Sequence, residues 1–190
     1  FAWTVPDNIS NNVVVRASNV DTTVPTDAGV SGSLAIKGRL QITSPTSADI
    51  WEVDKSKTIT WIRTGSIATA NLVYSVNGGS TFLPVTGGTG IAASLQTLAW
   101  TIPDNISNQV IVRITAVSDS TVTDDSDIFK IAGFLDLTYP NGGAGAFFEV
   151  NDAIAVTWVK HGSLGNVDLR YSRNDGADLY PYTIATNVPA

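Results

Sequence analysis

Short apolar runs separated by turn residues recur along the chain, and none has the rhythm of a helix. Leu40-Gln41-Ile42, Ile59-Thr60-Trp61, Leu72-Val73-Tyr74 and Val110-Ile111-Val112-Arg113-Ile114 place bulky apolar residues at every second position, the spacing of a strand with one buried face. Leu98, Trp100 and Ile102 share one face of another run, and Phe129 and Ile131 share a face of the next. Between these runs, Thr64-Gly65-Ser66, Asn77-Gly78-Gly79-Ser80, Gly87-Gly88-Thr89-Gly90 and Pro103-Asp104-Asn105 read as turns. The pattern predicts an all-β chain. The inward residues Trp61, Tyr74, Phe82, Trp100, Val112 and Phe129 are expected to form the core. A sugar-stacking platform is the other use for such aromatics, but alternation inside strands favours the core.

The runs are organised by a repeat. Residues 1–16 read FAWTVPDNISNNVVVR and residues 98–113 read LAWTIPDNISNQVIVR, with twelve of sixteen positions identical at an offset of 97. Trp61-Ile62-Arg63-Thr64-Gly65-Ser66 lines up with Trp158-Val159-Lys160-His161-Gly162-Ser163 at the same offset, and Leu72-Val73-Tyr74-Ser75 with Leu169-Arg170-Tyr171-Ser172. A unit of about 95 residues is too long for a solenoid repeat and fits a whole β-sandwich of about seven strands. Residues 39–133 make one complete unit. Residues 1–38 hold only the closing strands of a unit, and residues 134–190 only the opening strands of a further one. Two or three isolated strands are marginal alone. The two part-units, 38 and 57 residues long, together have the length of one unit. Two readings stay open: a window of a longer polypeptide, or part-units completed between copies. The ends of a tandem sandwich array lie at opposite poles, so closure within one chain would be strained and head-to-tail contact would propagate.

Composition narrows the function. Hydrophobic residues make up 43% of the chain, enough for packed cores. The net charge of −6 leaves no basic stripe for phosphates, so nucleic acid and acidic lipid are not expected partners. No stretch approaches the roughly 20 apolar residues of a membrane span. Cysteine is absent, which excludes disulfides and thiolate chemistry, and methionine is absent too. The opening Phe1-Ala2-Trp3-Thr4-Val5-Pro6 does not resemble a signal peptide, so a processed product or a slice of something longer is expected.

The central unit, ITSP…WEVDKSKTITWIRTG…LVYSVNGGSTF…LAWTIPDNISNQVIVRITAVSDSTVTDDSDIFKI, resembles an immunoglobulin-like module of large bacterial secreted and surface proteins. It is also similar to the Ser/Thr-rich module of fungal cell walls. Pro45, Trp51, Ile59, Trp61, Gly65, Tyr74, Ser75, Gly78, Gly79, Trp100, Pro103, Arg113, Ser126, Asp127, Phe129 and Ile131 carry the match. The last part-unit keeps the usual opening as Tyr139-Pro140-Asn141-Gly142-Gly143, whereas Pro45 is followed by Thr46-Ser47-Ala48. In residues 1–38 the Asp-rich closing segment is read as reduced to Val24-Pro25-Thr26-Asp27-Ala28-Gly29. The resemblance implies tandem immunoglobulin-like β-sandwiches. It implies no single activity, because such modules serve as building blocks in many proteins.

Candidate chemistry is sparse. The run Asp119 to Asp127 offers Asp119, Asp124, Asp125 and Asp127 as hard oxygen ligands for calcium near the boundary at Gly133. Its spacing is not that of an EF-hand loop, the first copy keeps only Asp21 and Asp27, and a solvated acidic turn is the plainer use. Asn8-Ile9-Ser10 and Asn105-Ile106-Ser107 are glycosylation sequons, though Pro-Asp-Asn is itself a turn signal. The one histidine, His161, aligns with Thr64, so the repeat does not depend on an imidazole. Glu52, Asp54 and Glu149 could form a carboxylate pair for glycoside hydrolysis. Glu52 and Glu149 are equivalent in the repeat, however, which suggests a structural role. The Gly87–Gly90 run lacks the lysine of a phosphate loop. Only one of Phe147 and Phe148 can face a core, leaving the other as a candidate interface anchor, and Tyr180 and Tyr182 are further candidates for exposure.

The expectation is a non-enzymatic, structural protein of the bacterial cell exterior. A surface-layer or filament subunit that contacts other copies or neighbouring repeats head to tail is the preferred form. An adhesin stalk or a carbohydrate-binding accessory module is the alternative.

Overall fold

A computed structural model describes the chain except for residues 21–22, 24–27 and 144–146. Among the described residues the regular structure is all strand apart from one short 3-10 turn at Ala93–Leu95. It forms two compact units. One joins Phe1–Ala48, Thr58–Trp100 and Gln109–Phe129; the other joins Asp49–Lys57, Thr101–Asn108 and Lys130–Ala190. The repeat junctions expected near residues 38 and 133 each fall inside a unit.

The first unit contains a β-sandwich. One sheet is ordered Thr97–Thr101, Ser56–Thr64, Arg39–Ser44. In the other, Thr69–Ser75 lies between Ile91–Ala92 and Ser107–Ala116, with Leu83–Pro84 and Thr123–Asp125 added at the sides. Register explains the core. Val112 stands opposite Tyr74 and Ile114 opposite Leu72, so alternate side chains of both strands enter one interior. Trp61, Trp100, Val112 and Phe129 are buried there as the periodicity predicts, with Tyr74 tilted against Trp100 at 4.8 Å between ring centroids. The indole Nε1 of Trp61 donates to the Ala93 carbonyl at 3.0 Å, so its one polar atom is satisfied.

Phe82 departs from the expectation. It is half-buried outside the core, and the Arg113 guanidinium lies 4.1 Å above its ring. Leu83 pairs with Tyr74, but Phe82 precedes that short strand, so the alternation does not extend to it.

Residues 1–38 in this unit form two short ribbons, Ser10–Val13 with Leu34–Ile36 and Arg16–Ala17 with Gly29–Val30. Ser31 takes the part played by Ser126, and in the Val24–Gly29 segment residues 24–27 lie outside the described residues. The Val15 amide donates to Ser31 Oγ at 2.9 Å, as the Val112 amide donates to Ser126 Oγ at 3.0 Å. Each hydroxyl then donates to the next carbonyl, of Gly32 or Asp127, at 2.8 Å. The offset here is 95 because this closing segment is two residues shorter. Asp21 and Asp27 lie outside the described residues.

In the second unit, Ile50–Glu52 runs parallel to Phe129–Ala132, with Trp51 opposite Ile131. The ribbon Phe134–Tyr139 with Thr157–His161 then repeats that of Arg39–Ser44 with Ser56–Thr64. Leu137 faces Trp158 and Tyr139 faces Thr157 across a bulge, as Ile42 faces Trp61 and Ser44 faces Thr60. A second ribbon pairs Asn166–Tyr171 with Tyr182–Pro189, where Val167 opposite Val188 repeats Ala70 opposite Ile91.

Candidate functional site

One set of polar contacts that recurs at the repeat offset lies at the two junctions. Pro6-Asp7-Asn8 and Pro103-Asp104-Asn105 make the same tight turn, in which the asparagine amide donates to the proline carbonyl at 2.8 Å. The turn presents its aspartate to a glycine-serine pair 59 residues on. Asp7 Oδ1 accepts the Ser66 amide at 3.0 Å and the Ser66 hydroxyl at 3.1 Å. Asp104 accepts the Ser163 amide at 2.9 Å and the Ser163 hydroxyl as well. Hydrogen bonds from the Ser163 hydroxyl and amide hold the Asp104 carboxyl below the ordinary carboxylate range, outweighing desolvation.

Glycine makes the approach possible. Gly65 and Gly162 have φ of +82° and +87°, and at each a Cβ would stand 3.1 Å from the clasping carboxylate. The junction residues Gly38 and Gly133 are closed to side chains for a different reason. At Gly38 a Cβ would come 2.7 Å from Ile67 and 2.9 Å from the Thr64 carbonyl; at Gly133 it would come 2.6 Å from the His161 carbonyl and 2.8 Å from Leu164. Ile9 and Ile106 pack from the turn side, against Gly65 and against Gly162 and Gly133 respectively. Each junction is thus an aspartate clasp around a side-chain-free seam, with an isoleucine packed beside it.

The second junction has an addition. His161, where the first has Thr64, places Nδ1 3.1 Å from Asp54 and Nε2 3.4 Å from Asp136. Its ring stacks on Phe134 at 4.2 Å, and the Lys55 ammonium lies 4.5 Å from the centroid of the Phe134 ring. Both imidazole nitrogens thus face carboxylates.

The acidic run is not gathered into one site. Asp119 accepts from the Thr121 hydroxyl, pairs with Lys37 at 2.9 Å and accepts the Thr121 amide, and these contacts lower its carboxyl to about 2. Asp124 accepts the Ile42 amide at 2.7 Å. Asp125 takes both arms of Arg113, at 2.6 and 2.7 Å, which raises the guanidinium further. Asp127 is exposed, its carbonyl occupied by Ser126. Among the described residues no three acidic or histidine side chains converge as a metal site.

Glu52 and Glu149 occupy one turn twice over. Their carbonyls accept the Lys55 and Asp152 amides at 3.2 and 3.1 Å, and Asp54 and Asn151 within those turns have φ of +65° and +78°. Asn8 is exposed and Asn105 half-buried, each in its clasp turn. The Phe147–Phe148 question resolves by the same offset. Phe148 stands where Trp51 does and meets Tyr139 edge-on at 6.2 Å, while Phe147 is the more exposed, as Ile50 is. Tyr180 is exposed; Tyr182 is half-buried against Tyr171 at 5.0 Å. Sequence reading marked the clasp residues as turns and missed the clasp. The available signal was that Asp7 with Ser66 and Asp104 with Ser163 keep one separation in both copies.

No family model, no curated protein and no solved structure matches this chain.

Proposed function

We propose that this chain is a structural, non-catalytic protein of tandem immunoglobulin-like modules that forms or extends an assembly on the outside of a bacterial cell, such as a surface layer or a filament. The observation that carries the reading is the clasp made twice with the same residues and closely similar distances, Asp7 with Ser66 and Asp104 with Ser163. Its recurring polar contacts serve to join one repeat to the next, which is what a spacer or lattice element needs. The motif likeness to bacterial surface modules and the acidic, cysteine-free composition support the exterior location.

Immunogold labelling of intact source cells, compared with permeabilised ones, tests the location. Labelling of intact cells along a continuous coat or fibre is the expected result. Label that appears only after permeabilisation would end the proposal.

A further inference from the structure

The second junction differs from the first at three facing positions, and the difference is one of charge. In the first, Arg39 stands opposite Thr64 and donates to Gln41 at 2.6 Å. In the second, Phe134 stands opposite His161, and Asp136 holds the place of Gln41. Where the first has a permanent cation beside a neutral amide, the second has an imidazole between carboxylates. Nδ1 of His161 lies 3.1 Å from Asp54 and Nε2 3.4 Å from Asp136. Asp54 belongs to the turn that precedes Ser56–Thr64, and Asp136 to the ribbon of Phe134–Tyr139 with Thr157–His161. The ring therefore stands between two separate segments of one compact unit.

Counting donors decides which form of the ring fits. A carboxylate only accepts, and a neutral imidazole carries one N–H, so it donates to Asp54 or to Asp136 but not to both. Its bare nitrogen then faces a carboxylate, lone pair to lone pair. The imidazolium donates from both nitrogens. Charge points the same way. The Lys55 ammonium, 4.5 Å from the Phe134 centroid, sets one positive charge against the two negative charges of Asp54 and Asp136. The cluster is left one negative charge in excess around a neutral ring and is balanced around a charged one. The ring also stacks on Phe134 at 4.2 Å, and an aromatic face attracts a cation. The other charged groups on the surrounding elements are of both signs. Lys160 is beside His161 on its own strand, Glu52 and Lys57 flank the Asp54 turn, and Asp104 is already taken up by Ser163.

We infer that His161 makes the second junction a proton-sensitive joint: its charged ring ties the Asp54 turn to the Phe134–Tyr139 ribbon, and its neutral ring releases one of the two. An imidazole ordinarily charges between about pH 8 and pH 5. A ring that gains partners when charged contributes stability at the acid end of that window and loses it as pH rises. The joint is therefore tighter near pH 5.5 than near pH 7.5. The effect is modest and screened, because the Asp54 and Asp136 side chains are 65% and 58% exposed. Two exposed pairs of this kind change an opening constant about two- to tenfold, and molar salt removes most of that. The first junction, with Thr64 in place of the histidine, does not respond. The Asp104 clasp yields only at lower pH, below the ordinary carboxylate value of 3.8, so acid first tightens this junction and then loosens it.

Amide exchange of the 190-residue chain at pH 5.5 and pH 7.5, corrected for the pH dependence of the intrinsic rate, tests this. The expected result is an opening constant about two- to tenfold smaller at pH 5.5 for Phe134–Tyr139 and Thr157–His161. Arg39–Ser44 and Ser56–Thr64 should show no such change. His161→Thr, which installs the residue of the first junction, should keep the ribbon and lose the response. Asp54→Asn and Asp136→Asn should each lose part of it. An equal response in both ribbons would assign the effect to the net charge of −6 easing in acid, and would overturn the proposal. An unchanged opening constant in the unaltered chain, or a response that survives in His161→Thr, would do the same. If circular dichroism shows His161→Thr unfolded, the double variant Asp54→Asn/Asp136→Asn carries the test: a pH response that persists without either carboxylate removes the joint.

Discussion

Individual residues at the junctions make opposing demands that few side chains meet together. Gly162 must hold a φ of +87° and leave room for a carboxylate 3.1 Å from where a Cβ would stand. Gly162→Ala therefore costs about 1–2 kcal/mol from backbone strain alone, and its methyl group also pushes the Asp104 carboxylate away from Ser163; chemical unfolding of the variant reads the sum. A loss below about 0.5 kcal/mol would mean the turn relaxes freely. Ser126 shows the opposite case, a buried hydroxyl that both accepts and donates. Ser126→Ala leaves the Val112 amide without its partner and should cost about 1–3 kcal/mol. Protonation acts on the clasp from outside. The Asp104 carboxyl is depressed in the folded chain by Ser163, so its contribution is fully present above the ordinary value of 3.8 and falls away as pH drops through the folded value. Unfolding midpoints measured between about pH 5 and pH 2.5 should fall, and Asp104→Asn should flatten part of that fall. An unchanged slope would remove the clasp from the acid response.

Strands were legible where both neighbours repeat their pattern, and less so where a single residue breaks it. Trp61, Trp100 and Phe129 lie buried as their spacing demands. Phe82 does not, because it stands ahead of a two-residue strand and stacks under Arg113 instead. This separates two substitutions that composition alone treats alike: Trp61→Ala should cost about 3–5 kcal/mol, and Phe82→Ala about 1 kcal/mol or less. Equal losses would put Phe82 back in the core. In residues 1–38 the closing segment is two residues shorter than in the central unit, which shifts the offset from 97 to 95, and the Val15–Ser31 hydrogen bonds show where the strand resumes. The aspartates after residue 118 read as a ligand cluster, since a sequence counts carboxylates but not their neighbours. Lys37, Ile42 and Arg113, which occupy three of them, are separated from them by 12 to 82 positions along the chain. Because those carboxylates already have partners, millimolar calcium or a chelator should leave the melting temperature unchanged within about a degree. A rise of several degrees with calcium would show that the run rearranges into a site.

For the whole chain, the arrangement of the clasps sets how stability is distributed. Asp7 and Ser66 belong to one compact unit, Asp104 and Ser163 to the other, and the two clasps share no residue. Contacts without common partners act nearly independently, and proteins open locally where the contacts of one segment are weakened. Removing one clasp should therefore release one end of the chain. Asp7→Ala should speed amide exchange at Leu34–Ile36 and at Ser10–Val13, leaving Asn166–Tyr171 as slow as before. Asp104→Ala should do the reverse. The central strand Ser107–Ala116 carries the buried Val110, Val112 and Ile114, so its exchange should stay slowest in both variants. Exchange followed residue by residue separates this from the alternative: if either substitution accelerates both ends together, the chain opens as one cooperative body and the clasps are not independent joints. In the assembly proposed above, such independence would let one seam bend while the sandwiches on either side stay folded.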